Sequence, residues 1–373
     1  MSASTGRDPS RTEEAFALDL RRDDVAAQVK LGRALQDLGR LEEAVGWYDR
    51  ALALEPDYAD AHVAKAINLL LRGDYASGWR SYEWRWRLEG FSSLKRNFPQ
   101  PQWRGEPLNG RRILLHGEQG VGDCLQFLRY VPRVQAAGGV VILEIQPRLK
   151  RICALLPGVA ELIALGEPVP EVDLHCPLMS QPLACGTDLQ SIPGEVPYLS
   201  VPREAQEKAR SLAWPTDRLR VGLAWAGSEK HLKDRFRSLP FAMLAPLLAL
   251  EDVHFFSLQL GTAAKELLAE DARITDLAPE TVDMADTAAQ IAQLDLVISV
   301  DTSVAHITGA LGKPVWVLLA HCADWRWLTD REDSPWYPTA RLFRQRVAGD
   351  WGEVIGRVGT EVALLAEAQR PRR

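Results

Sequence analysis

Leu294–Leu319, LDLVISVDTSVAHITGALGKPVWVLL, is the stretch that decides the fold. It divides into strand, tight turn, helix, turn and strand. Leu296–Val300 is a β-branched run of the kind that fills a parallel sheet buried on both faces. Asp301 is placed to cap the next helix, which Thr302 and Ser303 open. Gly312 ends that helix, Pro314 blocks its continuation, and Val315–Leu319 form the second strand. Asp301, Thr302, Ser303 and His306 are thereby expected around a helix N-terminus at the carboxyl edge of a sheet. Open α/β folds bind ligands there, and the helix amides favour an anion such as a diphosphate. A capped helix with no ligand fits the same spacing.

The sequence on either side continues the pattern. RVGLAW (220–225) is a strand, and its loop AGSEKHLKDRFRS carries Lys230, His231, Lys233, Arg235 and Arg237. Cations on a loop leaving the carboxyl end of a strand can neutralise a diphosphate; the alternative is a solvated charge run. Helices are expected over 241–250, 263–269 and 287–293, with a strand at 253–258. Beyond Leu319, AHCADWRWLTDREDSPWYPTARLFRQ is too long and too aromatic for filler inside a domain. In it Trp325, Trp327 and Trp336 either stack on a base or sugar or anchor the core. Residues 351–368 make a closing helix.

Towards the N-terminus the same α/β period holds back to Arg111. Residues 113–116, 140–145 and 162–165 are expected strands, with another at 173–175. The turn GEQGVGD leads into a helix expected over 124–134, where Gly120 and Gly122 allow backbone near a ligand and Asp123 stands at the helix start. Its G-x-x-G-x-G spacing differs from the G-x-G-x-x-G dinucleotide fingerprint, so NAD is not expected. Residues 90–110, rich in Pro, Gly and polar side chains, read as a linker. Before it, Leu31, Gly32, Leu35, Ala44, Tyr48 and Ala51 repeat the spacing of a 34-residue tetratricopeptide repeat. A looser second copy begins near Ala59, and residues 16–24 resemble the end of a truncated earlier one. Tyr75, Trp79, Tyr82 and Trp86 fall on one helical face, a stripe suited to docking the following domain or to binding a peptide.

The chain has 373 residues, 46% hydrophobic and 25% charged, the profile of a soluble protein of two or three domains. A net charge of −6 argues against a broad nucleic-acid-binding surface. No apolar run spans a membrane, and MSASTGRDPSRTEEAF has no signal-peptide core, so a cytoplasmic location is expected. The 5 cysteines form no C-x-x-C pair, and neither they nor an H-E-x-x-H motif provides a zinc site. No metal or cofactor is expected.

GEQGVGDCLQF, GLAWAGSEKHLKDRFRS, ISVDTSVAHITGALGKPVW and DWRWLTDREDSPWYP, behind GDYASGWRSYEWRW, together resemble a known group. They are similar to bacterial tetratricopeptide-repeat proteins with a glycosyltransferase family 9 (heptosyltransferase-like) C-terminal domain. The resemblance implies an all-α N-terminal region and an α/β GT-B fold. Repeat helices would occupy 1–89, the linker 90–110, an acceptor half 111–212 and a nucleotide-sugar half 213–373. It implies an inverting, metal-independent glycosyltransferase with a nucleoside-diphosphate sugar as donor. The acceptor would be a protein or a cell-envelope glycan, and the repeats would hold a protein partner. Asp123 matches the family's general base. Gly120, Gly122, Lys230, Lys233, Arg237, Asp301, Thr302, Ser303 and His306 would hold the donor phosphates, and Trp325, Trp327, Ser334 and Trp336 the sugar and base. Ser303-Val304 replaces the family's Gly-Pro, and Gly120-Val121-Gly122 stands where heptosyltransferases carry a serine. Two other readings stay open: a non-catalytic scaffold whose GT-B domain only binds nucleotide or is degenerate and binds nothing, and nucleotide-sugar epimerisation or hydrolysis.

Overall fold

Gly39 and Gly73, 34 positions apart, both take left-handed backbone conformations, with φ of 79° and 84°. Each ends one helix and lets the chain reverse into the next. The computed structural model describes residues 24–91, 93, 95–229, 231, 233–267 and 273–369. In it these turns join α1 (Val25–Asp37) to α2 (Leu41–Leu54) and α3 (Ala59–Leu71) to α4 (Tyr75–Tyr82). A Cβ on Gly32 would lie 2.4 Å from Tyr48 Cε1, so glycine is what lets α1 and α2 approach. The helix expected at 16–24 falls outside the described residues, apart from Asp24. The aromatic stripe is interrupted. After Tyr82 the chain tightens into a 3₁₀ turn, Glu83–Arg87, which takes Trp86 off the line of Tyr75, Trp79 and Tyr82. Those three are buried and meet edge to face at 5.5 and 6.2 Å.

Residues 1–91 and 92–373 are separate compact units. In the second, the 90–110 stretch is partly structured. Gln102 bridges His175, buried Trp103 donates its amide to His175 O at 2.8 Å, and its indole N–H goes to Glu106 O at 2.8 Å.

Two parallel sheets follow. The first has order β3-β2-β1-β4, from β1 (Arg112–His116), β2 (Val140–Ile145), β3 (Val159–Ala164) and β4 (Leu174–Pro177). The second has order β10-β9-β8-β5-β6-β7, from β5 (Leu219–Ala224), β6 (Val253–Ser257), β7 (Ile274–Asp276), β8 (Leu296–Val300), β9 (Val315–Leu319) and β10 (Ala340–Arg344). Among the described residues all eight strand pairings are parallel. Every residue of β8 is buried, as its unbroken apolar run requires. The larger core joins β5, β6 and β8 to Trp351, Val354, Val358 and Val362 of a closing helix, Trp351–Gln369.

Helices deviate most from expectation, and proline is the recurrent cause. The helix expected at 124–134 starts earlier and breaks into α5 (Val121–Phe127), a 3₁₀ turn and α6 (Val131–Ala136), with Pro132 in the first turn of α6. The one at 241–250 is a 3₁₀ turn plus a single α-turn carrying Pro246. The one at 263–269 is a 3₁₀ turn over Thr262–Glu266, as far as the described residues go. α7 (Met284–Ala292) begins earlier than expected because Asp283 caps it, accepting from the amides of Ala285 and Asp286. α8 (Ser303–Ala310) ends before Gly312 as expected but begins one residue later than the sequence suggests.

Gly32→Ala places a methyl against the buried Tyr48 ring and is expected to cost about 1–3 kcal/mol. Thermal unfolding followed by circular dichroism should show an earlier helical transition; an unchanged curve would mean that α1 and α2 have room to spare.

Candidate active site

The start of α8 is built one residue later than the sequence suggests. Thr302, and not Asp301, is the cap: its hydroxyl accepts from Val304 N at 3.2 Å and shares a hydrogen bond with Ser299 Oγ at 3.0 Å. Asp301 keeps its backbone carbonyl for Arg237, whose Nη1 donates at 2.8 Å. Its carboxylate lies 4.0 Å from His306 Nε2. Burial, reinforced by the nearby Asp324 and opposed by Arg237, pushes that carboxyl up to about 6. His306 Nδ1 is 2.9 Å from the Tyr337 hydroxyl, and the imidazole stacks on Trp327 with centroids 5.6 Å apart. Burial, with Arg326 adding its positive field, pushes His306 down to about 3, so the ring is neutral.

The Gly-rich turn of the first sheet meets this helix start. A Cβ on Gly122 would fall 2.8 Å from His306 Cδ2 and 3.5 Å from Ser303 Cα, so only glycine lets the two backbones approach. Asp123 Oδ2 accepts from Gly120 N at 2.7 Å and closes the turn. Asp123 Oδ1 is ion-paired with Arg326 Nη2. Arg326 also donates from Nε to Gln126 Oε1 at 2.6 Å and from Nη1 to Asp324 Oδ1 at 2.7 Å. Its guanidinium carbon sits 4.3 Å from the centroid of the Trp325 ring.

The basic loop contributes unevenly. Arg237 reaches the site, and its Nη2 lies 2.4 Å from where a Cβ on Gly227 would be, so Gly227 makes its room. Lys233 is exposed on a turn, its amide donating to His231 Nδ1 at 3.2 Å. Lys230 lies outside the described residues. Trp325, Trp327 and Trp336 are buried, at 2%, 1% and 0% exposure. Trp325 and Trp336 pack on Phe127 at 6.5 and 5.9 Å. They stand as core anchors, the bland half of the sequence reading. Ser334 is also buried, its hydroxyl accepting from Trp336 N at 3.2 Å.

The structure therefore gathers Gly120, Gly122, Asp123, Arg237, Asp301, Thr302, Ser303 and His306. Sequence reasoning missed Asp324, Arg326, Arg129 and Gln259. Arg129 is buried and donates from Nε to Gln126 O at 2.8 Å and from Nη1 to the carbonyls of Pro193, at 3.1 Å, and Trp336. Gln259 Oε1 accepts from Trp225 N and Ala226 N at 3.0 and 2.9 Å, fixing the start of the basic loop. The available signal for both arginines was a charge set between large apolar residues, in FLRYV and DWRWL. Among the described residues no three His, Cys, Asp or Glu gather as a metal-binding group, and no helix is long and apolar enough to cross a membrane.

Residues 219–329 match glycosyltransferase family 9 (heptosyltransferase), and residues 32–67 match the TPR repeat. The chain therefore carries a segment similar to the TPR repeat followed by one similar to glycosyltransferase family 9. It is 28% identical over 368 residues to protein FlbA of Caulobacter vibrioides, across 88% of this chain and 60% of that protein. The chain thus spans 60% of the length of this curated relative. The glycosyl transferase family 9 structure from Veillonella parvula covers 71% of this chain and is itself covered completely, at 12% identity and a TM-score of 0.52. That likeness is one of fold, the GT-B arrangement of the family 9 domain. The E. coli ADP-heptose heptosyltransferase II structure covers 70% of this chain at 17% identity, with 100% of its own chain covered and a TM-score of 0.49.

The pH dependence of stability tests the electrostatics. Asp301, raised to about 6, loses stability as pH climbs from its unfolded value near 3.9 towards 6. His306, lowered to about 3, loses stability as pH falls from its unfolded value near 6.5. Between pH 4 and 6 the two slopes oppose. Asp301→Asn removes one, so stability should rise with pH more steeply than in the wild type, by up to about 1.4 kcal/mol per pH unit. Urea unfolding at three pH values measures this; parallel curves would contradict the assignment.

Proposed function

We propose that this chain is a metal-independent, inverting glycosyltransferase that moves a sugar from a nucleoside diphosphate to an acceptor hydroxyl. One observation carries the reading: Gly122 against Ser303 and His306 sets Asp123 of one sheet beside the amide-rich start of α8 on the other. In the reaction the acceptor oxygen attacks the anomeric carbon while its proton passes to Asp123. The carbon–oxygen bond to the diphosphate breaks, and the electron pair leaves with the phosphate. The growing negative charge meets the α8 amides and Arg237. The repeats supply a protein partner or position the acceptor, a protein or a cell-envelope glycan, and the reaction draws on the cytoplasmic pool of nucleotide sugars.

A second reading, a repeat scaffold whose GT-B domain binds nucleotide without turnover, has its own support. Both oxygens of Asp123 are already engaged, by Gly120 and Arg326.

Thermal-shift titration with ADP, UDP and GDP, followed by transfer assays with the matching sugar nucleotides, separates them. One nucleoside diphosphate should stabilise the protein, and Arg237→Ala should abolish the shift. Asp123→Asn should retain binding while lowering turnover about 10²–10⁴-fold. Binding with no transfer or hydrolysis would favour the nucleotide-binding scaffold; no binding at all would remove the transferase reading and leave a scaffold that holds no nucleotide.

A further inference from the structure

The transferase reading leaves a problem at its centre. Asp123 must take a proton, yet Oδ2 already accepts from Gly120 N and Oδ1 is paired with a guanidinium. Both carboxylate oxygens thus have a partner before any acceptor hydroxyl arrives. Arg326 is itself shared between the two sheets' loops: Asp123 and Gln126 on one side, Asp324 on its own. It is buried at 7% exposure, and its loop neighbour Trp327 stacks on His306 in the first turn of α8. Arg326 also acts electrostatically on both Asp301 and His306, so its charge is felt at the position where a donor diphosphate would lie.

We propose that Arg326 is a positioning residue that exchanges partners, holding Asp123 while the donor site is empty and turning to the diphosphate when a donor binds. The inference rests on the transferase reading given above. Its physical basis is competition for one guanidinium. A diphosphate offers several anionic oxygens in the planar, bidentate geometry that arginine prefers, against the single oxygen that Asp123 gives it. Asp324 supplies the pivot, because it accepts from both the Arg326 side chain, at 2.7 Å, and the Arg326 amide, at 3.1 Å. Those contacts stay with the loop while Nη2 changes partner. The exchange frees Asp123 only when a donor is present, and it brings one more cation to the leaving group. Donor therefore binds before the base is competent.

A thermodynamic cycle on the full chain tests this without any acceptor. The affinity of the nucleoside diphosphate that stabilises the wild type is measured by calorimetry for wild type, Asp123→Asn, Arg326→Gln and the double variant. Breaking the Asp123–Arg326 pair is part of wild-type binding, so Asp123→Asn should bind about tenfold tighter, a change of about 1.4 kcal/mol. Arg326→Gln should bind more weakly, and adding Asp123→Asn to it should restore nothing. If Arg326→Gln does not fold, Arg326→Lys takes its place in the cycle. The ammonium lacks the fork, so the gain from Asp123→Asn should shrink. Equal affinity for wild type and Asp123→Asn would overturn the exchange. So would a gain that persists undiminished in the double variant, which is plain charge repulsion. Failure of every nucleoside diphosphate to bind any folded variant would instead overturn the donor site, and the exchange with it.

Discussion

The close approach at Gly122 is the constraint on which the rest of the site depends. Two helices from separate parallel sheets start within contact distance because one of them has no side chain there. A methyl group would collide with the imidazole of His306, which cannot retreat: Tyr337 holds its Nδ1 and Trp327 covers its face. Asp123 is carried into the same space as the next residue along. The geometry of the proposed base thus follows from backbone proximity, and the ion pair with Arg326 is made possible by it.

Buried cations then tie the loops of the two sheets together. Arg129 spends its donors on carbonyls and on the Tyr198 hydroxyl, which accepts at 3.2 Å, while its guanidinium lies over the Tyr337 ring at 4.6 Å. Arg326 spends its donors on Asp123, Gln126 and Asp324. Desolvating a guanidinium is costly, so each must be nearly saturated with acceptors to be held inside. Arg129 meets carbonyls, which are neutral and have no competing role. Arg326 meets carboxylates, one of which is the proposed base. That difference separates a fixed structural arginine from an exchangeable one.

Local features were largely legible in the sequence. The β-branched run at 296–300 is a fully buried strand, and Gly39 and Gly73 mark the reversals of the repeats. Gly312, with φ of 68°, ends α8 where it should. What escaped was set by partners far along the chain. Asp301 resembles a cap by type, but its carboxylate lies beside His306 and its backbone carbonyl accepts from Arg237, and the hydroxyl of Thr302 caps the helix instead. Arg326 and Asp123 are separated by 203 positions, and no periodicity links them. The tryptophans of the 325–336 segment carry equal signals for binding and for packing. Their burial is decided by Phe127 and by one another, with Trp325 and Trp336 meeting edge to face at 6.1 Å. Proline broke the helices that apolar periodicity had suggested, because a missing N–H does not alter the spacing of the hydrophobic residues.

The central claim is that the amides opening α8 and the turn carrying Asp123 form one site for a nucleoside diphosphate. Amide hydrogen exchange of the full chain, read by mass spectrometry with and without saturating nucleoside diphosphate, tests it most directly. The account predicts slowed exchange in peptides covering 299–306, together with a change in exchange, in either direction, over 117–124. Protection confined to other strands and loops, with 299–306 exchanging as before, would contradict it.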